Sequence, residues 1–141
     1  MTTVEQNKRL VRRVFEEGMN QNKPQIYYEV IAADYVNHSL PAPQPGPPGL
    51  EMTARMFLDA FSDFVVHIDE LIGEGNKVFS RGSFSGTHSG VFNGIPATGK
   101  HFTAGYIDEW VVKDGKLSEN WVQLDMIGLL QQLGVVPQQT A

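Results

Sequence analysis

After Ser62 the spacing of apolar residues changes from about 3.6 to 2, and no other feature of the chain constrains its fold as tightly. Upstream, Val4, Leu10, Val11, Val14 and Phe15 share one helical stripe, and Thr2 followed by Glu5 reads as a capping box. A first helix is therefore expected to run to about Met19. Pro24 suits a first helical turn, and Ile26, Tyr27, Val30 and Ile31 predict a short second helix ending near Ala33. Leu50, Ala54, Phe57, Leu58 and Phe61 mark a third helix with one apolar face. Downstream, Phe64, Val66 and Ile68 alternate with Val65, His67 and Asp69, and residues 73–76 read as a turn. Further strands are expected over 78–84, about 100–112 and about 117–124. Three helices followed by an antiparallel sheet predict an α+β domain.

The run 41–49, Pro-Ala-Pro-Gln-Pro-Gly-Pro-Pro-Gly, offers few backbone donors and fixed torsions, so a loop rather than a helix or ladder is expected there. The segment before it is too small to fold alone, which places the loop over the mouth of something rather than between domains. One domain spanning 1–141 is the expectation. The absence of cysteine excludes a disulfide framework and a thiolate metal site, and suits a reducing cytoplasm. The first residues lack a basic segment followed by an apolar run, and no stretch approaches the ~20 apolar residues that span a bilayer. A soluble, cytoplasmic chain with no membrane partner follows. The net charge of −5 and the lack of any Lys/Arg cluster argue against nucleic acid as a ligand.

On the strand expected over 100–112, the even positions are Phe102, Ala104, Tyr106, Asp108, Trp110 and Val112. Asp108 thus sits among large apolar side chains, where desolvation disfavours its charged form and lifts its pKa toward the working range of a general acid or base; the alternative is a structural carboxylate satisfied by a hydroxyl or backbone donor, or one facing a dimer partner. What faces it depends on the next turn. A two-residue loop, Asp114-Gly115, would oppose Asp108 with Trp121, whereas a three-residue loop with Gly115 as the bulge would oppose it with Asn120. The bulged loop is preferred because it puts Val122 and Leu124 on the inner face and leaves Trp121 and Gln123 outside. An outward Trp121 suits a subunit interface. His38, just before the proline run, is a candidate proton partner for Asp108 or a cap for the second helix, histidine being the side chain that changes charge near neutrality. His67 and His101 are expected outside. Asp125 reads as the N-cap of a closing helix and Gly134 as its stop. No His/Asp/Glu set has ligand spacing, no cofactor motif is present, and no serine sits in a nucleophile elbow, so neither metal nor cofactor is expected.

The stretch 86–100, Gly-Thr-His-Ser-Gly-Val-Phe-Asn-Gly-Ile-Pro-Ala-Thr-Gly-Lys, together with Asp114-Gly115-Lys116 and residues 125–134, resembles the SnoaL-like polyketide cyclases of the nuclear-transport-factor-two-like superfamily. The resemblance covers nearly the whole chain. It implies a cone-shaped α+β barrel, with N-terminal helices packed on a strongly curved antiparallel sheet and a short C-terminal helix, around a pocket for a small apolar or aromatic molecule. It also implies a homodimer through the convex sheet face, and makes His88 a loop-ordering residue. In the family's cyclases an Asp in the last strand acts as acid/base, helped by a polar residue in the preceding strand and an Asn after the second helix. Those positions fall on Val122, Asp108 and Asn37. Valine cannot transfer a proton, so two expectations stand. In one, acid/base work has moved across the hairpin to Asp108, with Asn37, His38, Tyr106 or Asn120 stabilising an enolate oxygen and Trp110 and Val122 lining the pocket. Aldol closure of a polyketide-like ester or ketone would be the family version; a steroid-isomerase-like shift and cofactor-free oxygenation stay open. Epoxide opening of the limonene-hydrolase type fits less well, because Tyr106 rather than Arg precedes Asp108 on its face. In the other, catalysis is lost and a small-molecule binding or interaction protein remains.

Overall fold

A computed structural model describes residues 2–40 and 42–136. The first helix, α1 (Val4–Arg12), starts one residue later than expected, because Thr3 rather than Thr2 forms the capping box: its Oγ1 accepts from Gln6 N–H at 3.1 Å and its own N–H donates to Gln6 Oε1 at 2.8 Å. The helix then widens into a π-helical segment, Arg13–Met19, which buries Val14 and Phe15. Gly18 in this segment lies against α2 (Gln25–Val30), and a Cβ there would come within 2.4 Å of the Tyr27 ring. Beyond it, the Asn20 amide caps an edge of the sheet, accepting from Val66 N–H and donating to Val66 O, both at 2.8 Å.

The second helix stops at Val30, not near Ala33, and the chain continues directly into β1 (Ile31–Asn37). This strand pairs in parallel with β5 (Lys116–Leu124), so the sheet is mixed rather than wholly antiparallel. An irregularity between Ile31 and Val36 disturbs the alternation, and leaves the buried Ile31 and Tyr35 four residues apart, a spacing that suits a helix equally well. The proline run also departs from expectation, since α3 (Gly46–Ala60) begins inside it. Pro47 and Pro48 fall in the first turn, where helical N–H groups have no intrahelical acceptor to lose. Gly46 enters at φ +75°, and a Cβ there would meet Ala33 O at 2.5 Å.

The remaining strands are β2 (Val65–Glu74), β3 (Lys77–Thr87) and β4 (His101–Lys113), giving the sheet order β1-β5-β4-β3-β2. Every even position of β4 from Phe102 to Val112 is buried, as the alternation predicts. The β4–β5 turn is the two-residue Asp114-Gly115, both at positive φ, not the three-residue loop. Register shifts instead at a bulge between Val111 and Val112, where Ser118 is the extra residue of β5. Asp108 therefore faces Val122, and Asn120 faces Trp110. The intended sides survive: Asn120, Val122 and Leu124 point inward, while Trp121 lies 40 % exposed on the outer face. The closing helix, α4 (Met126–Gln132), is capped by Asp125, whose Oδ1 accepts from Gly128 N–H at 2.9 Å, and is followed by Gly134 at φ +78°. The architecture is the cone-type α+β fold, helices closing one side of a five-stranded sheet. Among the described residues no helix is long and apolar enough to cross a membrane.

Candidate active site

Where the helices close over the sheet, a chamber of about 80 Å³ is left around the middle of β4. Phe15 and Met19 of the π-helical segment and Leu50, Thr53 and Phe57 of α3 roof it. Tyr106, Asp108 and Trp110 of β4, with Asn120, Val122 and Leu124 of β5, form its floor, and Asn37 closes the end of β1. Leu40, Thr53, Phe57 and Leu124 also border an outer hollow of about 440 Å³, whose wall includes Pro43, Met52, Met56, Phe92 and Met126. Pro43 of the proline run lies on the wall of this hollow.

Asp108 is 3 % exposed. Its Oδ1 accepts from the Ser80 hydroxyl and its Oδ2 from Trp110 Nε1–H at 2.9 Å. Both bonds favour the ionised carboxylate, but burial outweighs them and pushes the pKa from 3.8 up to about 6. The indole that supplies one donor is itself held, stacked on Tyr35 at 6.1 Å and edge-on to Phe15 at 6.0 Å. Tyr106, whose hydroxyl lies 3.3 Å from Ser80 Oγ, is pushed up by burial to about 12, so it stays a neutral phenol. The orientation of both amides follows from their partners. Asn37 Oδ1 accepts from the N–H groups of Ser39 and Leu40, each at 2.9 Å, which leaves its NH₂ as a donor. Asn120 Nδ2 donates to Glu109 O at 3.0 Å and Trp121 O at 3.3 Å, which leaves its oxygen as an acceptor. One weak acid, one amide donor and one amide acceptor therefore meet in a chamber otherwise lined by apolar side chains and the hydroxyl-bearing Thr53 and Tyr106.

Asp108, Asn37, Tyr106, Trp110, Asn120 and Val122, all singled out in the sequence, come together here. His38 does not. With Asn37 facing inward, the next side chain falls on the other side, where the His38 ring stacks on Trp121 at 4.4 Å and Nε2 lies 3.0 Å from Glu119 Oε1. It reaches neither Asp108 nor the end of α2 and does not line the chamber, correcting its roles as proton partner, cap and enolate or ligand contact. His67 and His101 are exposed, as expected. His88 is fully buried, and its Nδ1 accepts from Thr98 N–H at 3.2 Å, tying the two ends of the 88–100 loop. The residue that sequence reasoning missed is Ser80. It belongs to the inward row Val78, Ser80, Gly82 and Phe84 of β3, and a lone hydroxyl on that greasy row was the available signal. Among the described residues no three His, Asp or Glu side chains cluster as a metal-binding set.

Known proteins agree with this architecture. The family model for SnoaL-like polyketide cyclase matches residues 9–133. The chain is 31 % identical over 130 residues to aklanonic acid methyl ester cyclase DnrD of Streptomyces peucetius, covering 89 % of this chain and 88 % of that one. TsrD from Streptomyces laurentii superposes with a TM-score of 0.88 at 28 % identity, covering 96 % of this chain and 100 % of that one. Wild-type IdmH from Streptomyces antibioticus gives a TM-score of 0.79 at 27 % identity, over 92 % and 99 % of the respective chains. With the family's loop, turn and closing helix in place and the match running through both helices and sheet, the chain belongs to the SnoaL-like polyketide cyclase family.

Proposed function

We propose that the chamber binds the carbonyl-bearing end of a small apolar or aromatic molecule, and that Asp108 moves a proton at the carbon next to that carbonyl. The observation that carries this is a buried carboxyl with a pKa of about 6, set directly across the hairpin from Val122. Such a group is ionised often enough near neutrality to accept a proton and acidic enough to return it. In the first step Asp108 takes the α-hydrogen and the carbonyl becomes an enolate, whose oxygen the Asn37 NH₂ can stabilise. In an aldol closure the enolate carbon then bonds to a second carbonyl carbon of the same molecule, and Asp108 returns its proton to the new alkoxide. No oxidant or cofactor enters the balance. DnrD is named for cyclising aklanonic acid methyl ester, and a polyketide-like keto ester is the substrate class we assign by that similarity. The outer hollow offers room for whatever part of such a ligand exceeds the chamber.

The outer sheet face presents Phe79, Ile107 and Trp121 at 40–57 % exposure, and we assign it to a homodimer contact. A second reading is favoured by Val122 alone: with no acid at that position, the chain would bind its ligand without turning it over. Deuterium exchange at the α-carbon of an aromatic β-keto ester in D₂O separates the two. Catalysed exchange that Asp108→Asn abolishes supports acid/base chemistry, whereas saturable binding with no catalysed exchange supports the binding protein.

A further inference from the structure

Ser80 stands on β3 opposite Asp108 in the ladder, 2 % exposed and behind the carboxyl rather than on the chamber wall. It differs in kind from the other partner of Asp108. The indole N–H of Trp110 can only donate, so it serves an unprotonated carboxyl oxygen and nothing else. A hydroxyl both donates and accepts. With Asp108 ionised, Ser80 donates to Oδ1 and can take a hydrogen from Tyr106. With Oδ1 protonated, Ser80 accepts from the carboxyl and its own hydrogen turns to the Tyr106 oxygen.

We infer that Ser80 is a positioning residue for Asp108, fixing Oδ1 in both protonation states and, through Tyr106, keeping the buried pair hydrogen-bonded while the carboxyl takes up and returns a proton. The role rests on Asp108 being the acid/base. The site is built to hold the relay. Gly82, next but one to Ser80, lets β2 approach closely, since a Cβ there would meet His67 O at 1.9 Å, and it also leaves the Tyr106 ring uncrowded, with Cε1 3.0 Å from that Cβ position. No charge competes for the carboxyl: the π-helical segment, α3, β3 and β5 present only uncharged side chains to the chamber. The titratable groups beside it are the phenols of Tyr106 and Tyr35, both raised by burial and so neutral across the range in which Asp108 titrates.

The test is a carbon-detected NMR titration of the Asp108 carboxyl in the ligand-free full chain, comparing wild type with Ser80→Ala and Ser80→Thr. The alanine removes a charge-assisted donor from the ionised form and only a weaker neutral acceptor from the protonated form, so the midpoint moves up, by about 1 pH unit. Threonine keeps the hydroxyl and brings the midpoint back toward wild type. Should Ser80→Ala fail to fold, Tyr106→Phe replaces it and gives a smaller upward move, because it cuts only the second link. An unmoved midpoint in Ser80→Ala, or in Tyr106→Phe where it stands in, overturns the inference, and so does a threonine variant that behaves like alanine. Because no ligand is present, absent turnover cannot produce either result, and an unmoved midpoint sinks the role of Ser80 even in an active enzyme.

Discussion

Asp108 holds a carboxyl where burial and hydrogen bonding pull in opposite directions, and burial wins. Two fixed donors keep it hydrogen-bonded when ionised, yet its surroundings keep it protonated well above the ordinary carboxylate range. Putting a second acid opposite it, at position 122, tests the balance. Asp108 and Val122 are directly cross-strand, so Val122→Asp brings two carboxyls within about 5 Å in a dry chamber. They cannot both ionise freely, and the pair will titrate in two separated steps, the upper one above about 6. Carbon-detected NMR checks this; a single unaltered midpoint would show the chamber to be wetter than its lining implies. At this scale the alternation along β4 made Asp108, Tyr106 and Trp110 legible. It could not reveal Ser80, because nothing local in β3 says which strand lies beside it or in what register. Nor could it settle His38, whose side depends on where β1 ends and not on its own chemistry.

The elements that aim these residues depend on a few irregular positions. The bulge at Ser118 converts the tight Asp114-Gly115 turn into a register with Val122 inside and Trp121 outside. Deleting Ser118 removes the extra residue and closes the ladder, leaving Val112 opposite Leu117, Val111 opposite Glu119 and Asp108 opposite Val122, so the inner face is kept and only the local bend and the Ser118 Oγ–Val111 O hydrogen bond are lost. We expect the deletion to lower stability by less than about 2 kcal/mol, measured by urea unfolding. A loss of more than about 4 kcal/mol would mean that the bend at the bulge, and not the register alone, holds β5 in the sheet. The same irregularities explain what the sequence left unread. The break in β1 pairing let a strand pass for the end of a helix, and the first turn of α3 absorbed prolines that elsewhere stop one. Regular stretches with one buried face, such as β3, β4 and the body of α3, were legible because a single period runs through them.

For the molecule as a whole, a carboxyl raised by burial is a burden on folding that appears with rising pH. Unfolded, Asp108 titrates near its ordinary 3.8; folded, near about 6. Between those values the unfolded chain has released a proton that the folded chain keeps, so this residue's contribution to stability falls as pH rises through the window. The full loss is about 3 kcal/mol, reached above the folded value. Asp108→Asn escapes it, and its unfolding free energy relative to wild type should climb from pH 4 to pH 7 and then level off; a difference that is flat with pH would place the carboxyl in water. Such a burden persists where the group has work to do. We propose that this work is proton transfer, and the pH dependence of deuterium exchange at the α-carbon of a bound aromatic β-keto ester reads it out. Exchange should rise through about pH 6 in wild type and be lost in Asp108→Asn. Exchange of equal rate in both proteins, or none in wild type while the ester stays bound, would contradict it.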